Sequence, residues 1–274
     1  MQNKIGVMQG RLLPKYHGRY QAHPVGYWQD EFKIASQLEL DCIEFILDYN
    51  DLEINPLFKD GGIQEINKII ESTGVEVFSI CTDFLMEMPL HSNNIKNAKF
   101  SQKALINLLK NASKLRVSDL VIPCVDQSSL KNQKDADKFI TSLMPVVDCA
   151  EKYRINLSLE TDLDPQAFFD LLMRFDSDRV TVNYDIGNSA SLGYDLIEEL
   201  NAYGSRITDI HIKDRILGSG PVELGKGSAD FNSFFNKLKE FDYEGPFIMQ
   251  AFRDDEGIKI FNKQLDWIKP YFNV

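Results

Sequence analysis

The chain has no apolar run approaching the roughly 18 residues that cross a bilayer. Its opening, MQNKIGVMQGR, carries no signal-peptide apolar core. A cytoplasmic protein with no membrane partner is therefore expected. Cysteine is scarce: Cys42, Cys81, Cys124 and Cys149 are far apart and form no CxxC pair. Such spacing argues against a disulfide framework or a thiolate metal site and reads as reduced, buried thiols. Positive charge is in deficit, with 30 Lys and Arg against 41 Asp and Glu and a net charge of −11. That balance repels a polyanion, so a small-molecule partner is expected and nucleic acid is not. No GxGxxG or P-loop follows the first apolar run, and Met8-Gln9-Gly10-Arg11 has too little glycine to cradle a phosphate. No proline- or serine-rich linker divides the chain.

What is present is a sizeable apolar fraction, 43% over 274 residues, arranged as short β-branched runs alternating with longer segments of helical period. Strands are predicted at 4–8, 42–46, 75–81, 119–125, 156–160, 180–185, 207–213 and 246–251. Helices are predicted near 27–39, 61–73, 94–116, 133–153, 165–176, 195–203, 231–241 and 256–270. Gly74 punctuates a helix end, and Asp164-Pro165 reads as an N-cap followed by proline at the first helical position. Eight strand–helix units of roughly 34 residues each predict an α/β fold, one (β/α)8 TIM barrel spanning 1–274 as a single domain.

In such a barrel the chemistry sits where the strands finish. Period-two alternation turns Ser158 and Glu160 of NLSLE into the lumen, with Thr181, Asn183 and Asp185 of VTVNYD, and Asp209, His211 and Lys213 of the next strand. In the last strand it groups Ile248, Gln250 and Phe252. Four successive strands thus offer Glu160, Asp185, His211 and Gln250 at similar height. An inward carboxylate without a counter-charge is costly to desolvate, and two of them beside a histidine suit a single divalent cation.

Together with IGVMQGRL, DCIEF, YDIGN, HIKDR, PVELGKGSADF and IMQAF, these residues resemble the sugar phosphate isomerase/epimerase family. Its members are xylose isomerase-like TIM barrels that include ketose 3-epimerases, hydroxypyruvate isomerases and inosose dehydratases. The resemblance covers nearly the whole chain. It implies one divalent metal ion, Mn²⁺, Co²⁺, Mg²⁺ or Zn²⁺, held at Glu160, Asp185, His211 and Gln250. It also implies a small sugar or sugar phosphate as substrate, and a homodimer or homotetramer. Two positions depart from the family pattern: Gln250 stands where the family usually has Glu, and Asn188 where it often has a substrate-contacting His. A glutamine can ligate through its amide oxygen but cannot carry a proton.

The implied chemistry is proton abstraction beside a carbonyl through an enediolate, with Glu160 as both ligand and catalytic base. With Gln250 neutral, isomerisation or dehydration on one face suits Glu160 alone better than epimerisation. Glu44, Arg11, Asn188 and Arg215 are expected to contact substrate. Residues 11–26 hold Arg11, Lys15, His17, Arg19 and His23 without an acid, which predicts a positive lid able to attract a phosphate or carboxylate. Two other readings remain open. Gln250 and Asn188 would also suit a sugar-binding barrel that has lost catalysis. The same fold serves DNA-cleaving apurinic endonucleases with three metals, for which four histidines and this net charge are poor provision.

Overall fold

The computed structural model describes residues 3–255 and 257–272. Eight parallel strands close into a barrel: β1 (Ile5–Met8), β2 (Cys42–Ile46), β3 (Glu76–Cys81), β4 (Asp119–Cys124), β5 (Asn156–Thr161), β6 (Val180–Asp185), β7 (Ile207–Ile212) and β10 (Phe247–Met249). Around the ring they follow the order β1-β10-β7-β6-β5-β4-β3-β2, and β2 pairs back onto β1. The expected (β/α)8 architecture is present. Two short strands, β8 (Asp214–Arg215) and β9 (Pro221–Val222), form an antiparallel hairpin after β7.

The helices α1 (Trp28–Gln37), α2 (Gly62–Thr73), α3 (Ile95–Ala112), α4 (Gln133–Tyr153), α5 (Pro165–Leu172), α7 (Leu196–Tyr203), α8 (Phe231–Leu238) and α9 (Ile258–Ile268) occupy the predicted segments. Local chemistry sets their ends. Asp164 accepts from the Ala167 amide at the start of α5, and Gly74 closes α2 with φ 76°. The sequence pattern gave no sign of α6 (Ile186–Leu192), a seven-residue helix directly after β6. It has too few residues for an apolar period to show, and Asp185 starts it by accepting from the Asn188 amide. Among the described residues, no helix is long and apolar enough to cross a membrane.

Period two along the strands builds two apolar layers. Leu157, Leu159, Val182, Ile210 and Ile212 face the helices in one cluster, while Met8, Cys42, Ile46, Cys81, Val121 and Ile248 meet inside the barrel. Gly6 makes room for this inner cluster, because a Cβ there would sit 2.6 Å from Cys42 Sγ and 2.7 Å from Ile248 Cδ1. Buried polar side chains, among them Glu44, Ser79, Ser158, Thr181 and Asp209, also lie on the inner strand faces. A register shift of β6 against β7 pairs Val182 with Ile207 and Asn183 with Asp209, skipping Thr208. The bulge turns Thr208 inward against strict alternation, and its hydroxyl meets Ser158, Thr181 and the Asp119 carboxylate.

Candidate active site

Glu160 sits near the end of β5 and Asp185 at the end of β6, where Asp185 is level with His211 of β7 across the parallel ladder. Glu160, Asp185 and His211 are all buried, and one donor atom from each lies within 4.8 Å of the others. The convergence read from the sequence is therefore present for these three. Gln250 follows β10, and its backbone N–H continues the ladder by donating to the Ile212 carbonyl at 3.1 Å. Gln250 and Glu160 line one open cavity of about 370 Å³, together with Gln21, Asp83, Asn188, Lys213 and Arg215 among others. That volume lies in the range of small-molecule sites.

The two ends of His211 are differently engaged. Nε2 lies 2.9 Å from Glu44 Oε1, and Glu44 Oε2 accepts from the Ser79 hydroxyl at 2.6 Å. Nδ1 is 4.0 Å from Asp185 Oδ2 and, among the described residues, has no hydrogen-bond partner. Burial alone pushes the imidazole pKa down, but the carboxylate of Glu44, with Glu160 and Asp209 nearby, more than offsets it and holds the ring up to about 10. A carboxylate behind Nε2 and an unpartnered Nδ1, whose proton a cation would displace, is the arrangement that presents a histidine to a metal.

Glu160 is pushed up to about 7 by burial, with His211 pulling the other way. Its Oε1 accepts from Asn188 Nδ2 at 2.7 Å, and Asn188 Oδ1 accepts in turn from Arg215 Nη1 at 2.9 Å. Asp185 Oδ2 accepts from Lys213 Nζ at 3.2 Å. Lys213 can lie there because the next turn carries Gly187: a Cβ at 187 would stand 2.9 Å from the Lys213 carbonyl carbon and from its Cγ. Gln250 donates from Nε2 to Gln21 Oε1 at 2.9 Å, so its own Oε1 is left buried without a partner among the described residues. His211 Nδ1 and Gln250 Oε1 are thus two buried polar atoms without a partner among the described residues, Nδ1 beside the Asp185 and Glu160 carboxylates and Gln250 on the same cavity wall as Glu160; with the Nδ1 proton displaced, such a donor set fits a divalent cation.

Three expectations need revision. Glu44 is fully buried and lies beneath His211, so it does not face substrate; it belongs to the middle of β2, a layer deeper than the strand ends. Arg11 is not among the residues that line the cavity. It stands behind Gln21, donating to Gln21 Oε1 at 3.1 Å, and burial brings its pKa down to about 10. The loop 11–26 brings Arg19 to the cavity wall, but most of its positive charge is taken up by partners or neutralised. Lys15 is paired with Asp255 at 2.7 Å and Arg19 with Asp48 at 2.9 Å, while burial of His23 lowers its pKa to about 3 and keeps it neutral. Asn188 and Arg215, by contrast, do line the cavity.

Sequence reading missed Gln21, Asp83 and Asp48 at this cavity. Asp48 and Asp83 lie two residues past the ends of β2 and β3, so the strand-end rule would have found both. Gln21 sits in an irregular loop that offers no pattern.

Residues 32–271 match the xylose isomerase-like TIM barrel family. The chain belongs to that family. Among curated relatives of this xylose isomerase-like barrel, the L-ribulose-5-phosphate 3-epimerase UlaE of Escherichia coli O1:K1 is 24% identical over 254 residues, covering 88% of this chain and 89% of the relative. Among solved structures, apo 3-keto-D-glucoside 4-epimerase YcjR from E. coli superposes with a TM-score of 0.74 at 16% identity, over 98% of this chain and 100% of that one. A xylose isomerase-like TIM barrel protein from Mycobacterium smegmatis in complex with magnesium gives 0.72 at 18% identity, over 99% and 96%. The two structural likenesses concern the fold.

Proposed function

We propose that this protein is a divalent-metal-dependent isomerase or epimerase of a sugar or sugar phosphate, moving a proton at a carbon beside a carbonyl. The observation that carries the reading is the convergence of Glu160, Asp185 and His211 within 4.8 Å, with the free Nδ1 of His211 as a ready donor. Those three, with Gln250 Oε1, would hold the cation. When bound, the cation supplies an electrophile that polarises the carbonyl and stabilises negative charge on the substrate oxygens. UlaE, an L-ribulose-5-phosphate 3-epimerase, and YcjR, a 3-keto-D-glucoside 4-epimerase, support the same class.

The chain's own residues account for the rest. Glu160 takes the proton from the carbon, its carboxylate standing at the cavity wall beside Asp185 and His211. The Asn188 amide fixes the direction of that carboxylate, and Arg215 fixes Asn188. Glu44 holds the His211 ring in place from below. Lys213 sets a positive charge against Asp185 and so limits the net negative charge of the site.

The test is incubation of the purified protein with Mn²⁺ and a panel of aldoses and ketoses, free and phosphorylated, followed by proton NMR in D₂O. The expected result is deuterium entering beside the carbonyl of one sugar, abolished by a chelator and by Glu160→Gln. Absence of exchange and conversion across the panel would overturn the reading.

A further inference from the structure

Inverting a carbon centre requires one group to remove the proton from one face and another to deliver a proton to the opposite face. Glu160 can serve one face; Gln250, being an amide, cannot serve the other. The cavity wall supplies other titratable groups; its carboxyls include Glu87 and Asp126 as well as Asp48 and Asp83, and it is Asp83 that a hydrogen-bond chain through Gln21 ties to Gln250. Lys213 is engaged by Asp185. Both oxygens of Asp48 are taken, one by the Arg19 guanidinium at 2.9 Å and the other by the His23 amide at 2.9 Å. Asp83 differs: its Oδ2 accepts from Gln21 Nε2 at 3.3 Å and its Oδ1 from the Cys81 thiol at 3.0 Å, both neutral donors.

Position favours Asp83 too. The prospective ligands come from one arc of the barrel, β5, β6, β7 and β10, whereas Asp83 follows β3. Counting round the ring, β3 is four strands from β7, so Asp83, two residues past the end of β3, starts from the side of the mouth opposite the His211 strand. A substrate seated on the His211 side would have Asp83 over it. Asp83 is also tied to Gln250 by one intermediary, since Gln250 donates to Gln21 and Gln21 donates to Asp83. The amide at 250 thus fixes which way Gln21 points, and Gln21 fixes Asp83.

We infer that Asp83 is the second proton-transfer group of this site and that the protein inverts a carbon centre, acting as an epimerase. This rests on the proposed function above. In one direction of turnover, the Glu160 carboxylate takes the C–H proton and the C–H electron pair enters the enediolate. The carboxylic acid form of Asp83 then delivers its proton to the other face; the enediolate pair forms the new C–H bond and the carbonyl is restored. Glu160 ends protonated and Asp83 ionised, and exchange with solvent through the open cavity resets both. Burial raises the Asp83 pKa, which favours its acid form.

The experiment follows two signals in D₂O with Mn²⁺, using D-tagatose and L-ribulose 5-phosphate as probes: deuterium at C3 and formation of the C3 epimer. Wild type is expected to give both with one of the probes. Asp83→Asn should keep deuteration, because Glu160 still removes and returns the proton on its own face, while epimer formation falls by about 10²- to 10⁴-fold. Gln21→Leu keeps both carboxyls and should lower the ratio of epimerisation to exchange in the same sense, which covers the case in which Asp83→Asn does not fold. An unchanged ratio in the folded variants, or parallel loss of both signals, would overturn the role of Asp83. Wild type that deuterates a sugar without inverting it would overturn that role and leave the proposed function standing. Wild type that does neither with any ketose would overturn the proposed function itself.

Discussion

His211 Nε2 lies 2.9 Å from Glu44 Oε1, and neither side chain has any surface exposed to solvent. This contact assigns Nε2 as the hydrogen-bonding nitrogen and leaves Nδ1 as the free donor atom beside Asp185 and Glu160. Glu44→Gln keeps the shape of the contact but removes its charge. The expected outcome is a 10- to 100-fold loss in Mn²⁺ affinity, the usual cost of removing such an outer partner, measured by titration calorimetry. Unchanged affinity would contradict the role given to Glu44.

Gln250→Glu adds an anionic oxygen to the ligand set, and Mn²⁺ should bind more tightly. It also removes the N–H that points Gln21 toward Asp83. Tighter binding without a gain in epimerisation is therefore expected, read by calorimetry and NMR on the same preparation. A large gain in epimerisation would mean that residue 250, and not Asp83, occupies the position of the missing acid.

The sequence exposes the periodic part of this molecule and little of the aperiodic part. Alternation along NLSLE and VTVNYD is enough to point Glu160 and Asp185 inward, because a strand has only two faces and one of them packs on helices. The same alternation points Glu44 inward but says nothing of depth. Depth depends on how strands are staggered, and Glu44 pairs with Met8 and Ser79 inside the barrel. Thr208 escapes because a bulge breaks the two-residue period. The Gln250–Gln21–Asp83 chain joins residues 229 and 62 positions apart through an irregular loop, for which no local pattern exists.

His23 makes stability depend on pH. Its ring is buried against Phe45 and Trp28, and its folded pKa is lowered to about 3 from the ordinary value near 6.5. Below pH 6.5 the unfolded chain takes up a proton that the folded chain refuses, so stability is lost as pH falls. At pH 5 the loss from this residue is about 2 kcal/mol relative to pH 7. Urea denaturation at the two pH values should show that difference in wild type and a smaller one in His23→Gln. Equal pH slopes would contradict a neutral buried His23.

Gly187→Ala places a Cβ 2.9 Å from the Lys213 backbone, which cannot swing aside as a side-chain tip would. A loss of about 1–3 kcal/mol is expected from this overpacking, measured by urea denaturation. An unchanged midpoint would contradict this close approach of α6 to the segment after β7.

Whether four side chains seat a cation is read by soaking crystals with Mn²⁺ and recording anomalous scattering at the manganese edge. One peak is expected within bonding distance of Glu160, Asp185, His211 Nδ1 and Gln250 Oε1. A peak elsewhere, or none at this position at saturating Mn²⁺, would contradict it.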